Sequence, residues 1–130
     1  MIPSRFRSVH YVGRKYPGNA IGLREGANCQ HFVYELLRHY GYKIPDFRSS
    51  QLWEDRKHTR QVRAMRPLDL LLFNPNRKSW GTHFAICVGP DRFLHLCREI
   101  GRPVVWTKAQ FHKRARYHIL IGIKRMKRRG

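Results

Sequence analysis

Acidic residues are scarce in this chain. Only 8 Asp and Glu stand against 27 Lys and Arg in 130 residues, a formal net charge of +19. That imbalance leaves little to hold a cationic partner and implies an anionic partner, substrate or surface. Cysteine is scarce too. Cys29, Cys87 and Cys97 are the three present, and they form no CxxC pair. An odd count without such pairs argues against a disulfide framework and a cysteine-rich zinc site, and suits a reduced compartment. No apolar run approaches a membrane span. The N-terminal "MIPSRFRSVHYVGRKYPG" contains none of signal-peptide length. A cytoplasmic location is therefore the expectation, with any export taking a route the sequence does not display. No internal repeat is present.

What is there suits one domain. The chain is 42% hydrophobic, enough for a real core at this length. Residues 1–25, rich in Gly, Pro, Arg and Tyr, read as an irregular lead-in. Phe32, Val33, Leu36, Leu37 and Tyr40 form one apolar stripe and predict a helix over 28–40. Asn28 is its expected N-cap, Gly41 its stop, and Pro45 prevents continuation. A short helix is expected at 50–55, then an exposed basic segment to residue 66. Strands are expected at 69–73, 82–88, 92–97, 103–107 and 117–124, with a short helix at 108–115. Helices first and strands after predict an α+β domain over 1–124, in which an antiparallel sheet of about five strands packs on the first helix. A basic tail over 125–130 would follow.

Cys29 lies in the first turn of the predicted helix, on the stripe that faces the sheet. A buried structural thiol is one reading, since free cysteine is among the most buried residue types. A nucleophile is the other, because unpaired N–H groups and the dipole at a helix start favour a thiolate. The candidate bases lie in the strands 82–88 and 92–97. A three-residue loop at 89–91 would place His95 opposite Ala85 and on the same face as His83. A two- or four-residue loop would put the two histidines on opposite faces, and the sequence does not fix the loop. For zinc, "HLC" (95–97) is the only compact ligand pair, and cysteines on adjacent strands of a core face point to packing instead.

Four pieces in order give these residues a family likeness: Tyr16-Pro17-Gly18, "NCQHFVYELLRHYGYKIP", "PLDLLLFNP" and "THFAICVGPDRFLHL". Their order and spacing resemble the NlpC/P60 family of papain-like cysteine peptidases and amidases, over about residues 13–125. The resemblance implies a papain-like α+β fold and a Cys-His-His triad. Cys29 would be the nucleophile, His83 the base and then the acid, and His95 the residue that orients His83. It implies that the Tyr16 hydroxyl reaches the site, that the Cys29 N–H is an oxyanion donor, and that no metal or organic cofactor is needed. Its implied substrate is a peptide amide of the cell-wall type, D-glutamyl or diaminopimelyl. A thiolate coupled to His83 is expected to react well below the free-thiol pKa of about 8.5. The chain departs from the family at Asn28, where Asp is usual, at Gln30 and His31, where small residues are usual, and at Leu68, where Gly is usual. Gln30 and His31 are expected to reshape the groove beside Cys29, and Trp80 is the best candidate for a substrate wall.

Two basic clusters could meet an anionic polymer. One is Arg56, Lys57, Arg60, Arg63 and Arg66. The other is Lys124, Arg125, Lys127, Arg128 and Arg129. Wall polymer and nucleic acid both fit such a surface, and charge does not separate them. No helix-turn-helix, zinc-finger or RNA-recognition signature is present. An inert Cys29 on a nucleic-acid-binding protein, and an intracellular amidase with a non-wall substrate, are the alternative readings.

Overall fold

The structure, a computed structural model, describes residues 2–127. Helix α1 (Cys29–His39) forms where its apolar stripe predicts, and the Asn28 side chain accepts the His31 N–H at 2.8 Å. Helix α2 (Ser49–Glu54) follows. The strands are β1 (Thr59–Val62), β2 (Leu70–Asn74), β3 (His83–Gly89), β4 (Arg92–Leu96), β5 (Pro103–Trp106) and β6 (Ile119–Met126). The short helix α3 (Lys108–His112) and a 3-10 turn (Ala115–Tyr117) lie between β5 and β6. All strand pairs are antiparallel, in the order β1-β6-β2-β3-β4-β5.

Strand alternation gives the sheet two buried faces. Leu70, Leu72, Phe84, Ile86, Leu94 and Leu96 pack against Phe32, Val33, Leu36 and Leu37 of α1. Leu71, Phe73, Ala85, Cys87, Phe93 and Cys97 face the other way, onto Trp106, Phe111 and Tyr117. This explains why "DLLLF" reads as a continuous apolar run rather than an alternating one. Trp53 lies against β6 at Gly122, where its indole leaves no room for a Cβ.

The sheet has six strands, one more than expected, and the extra one is β1 in the segment read as exposed and irregular. Arg60 and Gln61 point to solvent while Thr59 is buried. Charged residues are the normal dress of an edge strand, so only half of the strand signal is apolar. The carboxylate of Asp55 starts β1 by accepting the N–H groups of Lys57, His58 and Thr59 and the Thr59 hydroxyl.

The expected tail at 125–130 is also corrected, because β6 runs through Met126. Lys124 is fully buried, and its Nζ donates to the carbonyls of Trp53 (3.2 Å) and Asp55 (2.6 Å) at the end of α2. Burial, with the nearby Arg56 cation, lowers it to about 8. Arg125 forks onto Asp69, Nε to Oδ1 at 2.9 Å and Nη2 to Oδ2 at 2.8 Å. Neither residue is available to a polyanion. Lys127 is exposed, while Arg128 and Arg129 lie outside the described residues. Leu68, at the family's glycine position, has φ +73°, a left-handed backbone that glycine adopts without strain.

Candidate active site

Cys29 begins α1 and His83 begins β3, so each is a buried residue at an element's end. Both line one cleft of about 270 Å³, together with Tyr11, Asn74, Thr82, Arg98, Arg116 and Tyr117. His95 is not a wall of the cleft. It is fully buried behind His83, with His83 Nε2 and His95 Nδ1 2.8 Å apart.

The hairpin geometry that allows this is unusual in its construction. The closing pair is Gly89–Arg92, leaving a two-residue turn, Pro90-Asp91. Such a turn alone would put the histidines on opposite faces. A bulge at Val88 restores the register, so that Cys87 pairs with Phe93 and Ile86 with Leu94. Continuing that register sets His95 across from Ala85 and diagonal to His83, as the three-residue loop would have done. The histidines share the face that carries α3 and the 3-10 turn, not the face that carries α1. Tyr117 lies over His83, with centroids 4.5 Å apart, and Trp106 meets His95 edge-on at 4.3 Å. Cys29, at the start of α1, and His83, at the start of β3, come together as walls of one cleft rather than across a shared layer.

The tautomers can be assigned by role. If His83 Nε2 carries a proton and donates it to His95 Nδ1, then His83 Nδ1 is the free base on the cleft side. His95 Nε2 then bears the remaining proton, and this atom is buried without a partner among the described residues. Trp106 and Phe111 surround that ring.

Burial governs the charges. It pushes the Cys29 thiol up to about 11, against the pull of the backbone N–H groups of Phe84, Gln30 and Cys29 itself. Burial, with Arg116 adding to it, lowers His83 to about 3; burial with His83 and Arg114 lowers His95 to about 2. This corrects the expectation of a thiolate reactive well below pH 8.5. The resting pair is a neutral thiol and a neutral imidazole, because the sheet end and its aromatic cover keep water from either ion. The sign of the stability effect follows. Both histidines take up protons near pH 6.5 when unfolded but only far lower when folded. Their contribution is therefore complete above about pH 6.5 and lost as pH falls toward 3. Melting temperature measured from pH 8 down to pH 4 should fall steadily below about pH 6.5.

Four other residues expected at the site, Tyr16, Gln30, His31 and Trp80, do not line the cleft. Tyr16 packs beneath Arg48, whose guanidinium lies 4.5 Å from the ring centroid. The tyrosine beside Cys29 is Tyr11. Its segment pairs with Ala27, through Val12 N–H to Ala27 O at 2.9 Å and Ala27 N–H to His10 O at 3.1 Å. Burial, then Cys29, raise the Tyr11 phenol. The pairing requires Gly26, which has φ +96° and where a Cβ would lie 2.9 Å from the His10 carbonyl. Gln30 and His31 turn inward instead of narrowing the groove. Gln30 reaches the Thr82 carbonyl at 3.5 Å, and His31 Nε2 lies 2.7 Å from the Gly22 carbonyl. Trp80 is 65% exposed and contributes only its carbonyl, to Asn74 Nδ2. Asn74 was not singled out by the sequence; it holds the 74–81 loop through Lys78 O and Trp80 O. Arg98, Arg116 and Tyr117 also carried no sequence signal.

Among the described residues, no group of three or more His, Cys, Asp or Glu is placed to hold a metal ion, and no helix is long and apolar enough to cross a membrane. The NlpC/P60 family model matches residues 13–118 of the chain. Curated proteins provide no match.

Proposed function

Because the chain belongs to the NlpC/P60 family of papain-like cysteine peptidases and amidases, we propose that it opens an amide bond by acyl transfer to Cys29. The observation that carries this reading is the bonded pair His83–His95 at the mouth shared with Cys29. As Sγ attacks the carbonyl carbon, His83 Nδ1 takes the thiol proton, and the C=O π pair moves to oxygen. The Cys29 N–H at the helix start faces that developing oxyanion. Collapse breaks the C–N bond, and the imidazolium returns its proton to the leaving amine. Water then attacks the thioester, with His83 again as base, and releases the carboxylic acid. His95 accepts from His83 Nε2–H throughout and so holds one tautomer and orientation. It is a positioning residue rather than a group that touches substrate. Tyr11, in place of Tyr16, is the phenol at the nucleophile. The substrate class is a short peptide amide of the cell-wall type. Rapid acid quench during turnover of a defined wall peptide should trap a thioester adduct on Cys29, seen as added mass on its tryptic peptide. An adduct absent under steady turnover would refute the mechanism.

The remaining positive charge favours an anionic polymer as a second contact. Lys43, Lys57, Arg60, Arg66 and Lys127 line a groove of about 740 Å³ beside Asp69. Arg56 and Arg63 stand exposed on the same segment of chain. Asp69 is closed by Arg125, which leaves the groove strongly positive. Neutralising Lys57, Arg60 and Arg66 together should flatten the salt dependence of oligonucleotide or wall-polymer binding by about 2 in log–log slope. A slope unaltered by those changes would remove the groove from that role.

A further inference from the structure

The cleft at Cys29 holds charge of one sign. Arg98 and Arg116 line it, and no carboxylate does. Both arginines are exposed at its rim, and the ion pairs of the described residues include neither. Their charge reaches the catalytic groups: Arg98 and Arg116 both act on Tyr11, and Arg116 acts on His83.

A second observation is independent of charge. Thr82 Oγ1 and Tyr117 OH are buried, at 2% and 1% residue exposure, and neither has a hydrogen-bond partner among the described residues. Buried hydroxyls are ordinarily satisfied. Two unpaired hydroxyls, buried on residues of one small cleft wall beside two guanidinium groups outside any ion pair of the described residues, describe a site whose missing partner is an oxygen-rich anion. A volume of about 270 Å³ suits a compact group, not a polymer.

We propose that Arg98 and Arg116 are specificity residues that select substrates bearing a carboxylate beside the scissile amide, with Thr82 and Tyr117 as neutral donors to the same region. This rests on Cys29 being the nucleophile of the proposed hydrolase, but its test needs no turnover. Iodoacetate and iodoacetamide both alkylate a thiol by displacing iodide, and they differ in carrying a carboxylate or an amide. The ratio of their rate constants at Cys29, read by peptide mass, should exceed that of the chain unfolded in urea by about fivefold or more. Arg98→Gln/Arg116→Gln should return the ratio to the unfolded value. A control that loses the same charge elsewhere, Arg7→Gln/Arg24→Gln, should keep most of the preference and so separates the site from the field of the whole protein.

A folded ratio equal to the unfolded one, or a preference equally reduced by both double variants, overturns the proposal. Should Cys29 resist both reagents, N-acetylglycine is compared with N-acetylglycinamide by thermal shift. Stabilisation by the acid alone, lost in Arg98→Gln/Arg116→Gln, is then the expected result, and equal effects of acid and amide are the overturning one. Failure of the hydrolase reading would appear separately, as turnover that survives Cys29→Ala.

Discussion

Replacing Cys29 by alanine should reduce amide hydrolysis by a factor on the order of 10⁴ or more while leaving the fold intact. The change removes one sulfur from the first turn of α1, where Asn28 still caps the helix, so melting should shift by only a few degrees, about 1 kcal/mol or less. His83→Ala should reproduce the loss of turnover, since a neutral thiol needs a base at the moment of attack. The pH profile distinguishes this resting state from a preformed ion pair. With the thiol at about 11, alkylation of Cys29 in the resting protein should go on rising beyond pH 8.5 instead of levelling near neutrality. Cys87 and Cys97 are buried in the sheet core, so Cys29→Ala supplies the background rate. Undiminished turnover by Cys29→Ala would end the cysteine-hydrolase reading.

The largest effect on stability should come from Asp69→Ala, a loss of about 3–5 kcal/mol. Asp69 is 1% exposed and sits where the chain enters β2. Its carboxylate accepts the two-pronged Arg125 bond and the Arg66 N–H at 2.8 Å. Truncation leaves the Arg125 guanidinium, 16% exposed, without its anion and frees the 66–69 turn. Urea unfolding should show the midpoint falling with little change in slope. The pair Asp69→Leu/Arg125→Met should recover part of the loss, because the penalty lies mainly in the stranded charge. A deficit under about 1 kcal/mol for Asp69→Ala would reduce the pair to a surface-like contact.

The parts of the fold that were legible in the sequence are those whose signal is local. The stripe of α1, its Asn28 cap and the strands about His83 and His95 each follow from residue spacing and backbone chemistry. The family likeness then arranged them. What escaped depends on pairings between distant segments. Tyr11 enters the cleft because residues 10–12 lie along Ala27, and an irregular lead-in gives no periodicity from which that could be read. Tyr16, with the better motif around it, ends under Arg48. β1 was hidden because Arg60 and Gln61 face solvent. Lys124 looked like surface charge, yet strand alternation turns it inward to meet the α2 carbonyls. Gln30 and His31 adjoin Cys29 in sequence, but their reach to Thr82 and Gly22 makes them tethers for the cleft's surroundings instead of its walls.

The bulge at Val88 tells two kinds of change in this hairpin apart. Loss of the single codon for Val88 would set Cys87 directly beside Gly89, and the ladder Gly89–Arg92, Cys87–Phe93, Ile86–Leu94 would close on the same Pro90-Asp91 turn without interruption. His95 would still emerge across from Ala85, on the side of His83. A slip that seats Val88 in the ladder opposite Phe93 would instead turn His95 to the other side of β4 without altering the length of the chain. Shortening the hairpin by its extra residue is therefore the harmless change, and a one-residue slip at constant length the damaging one.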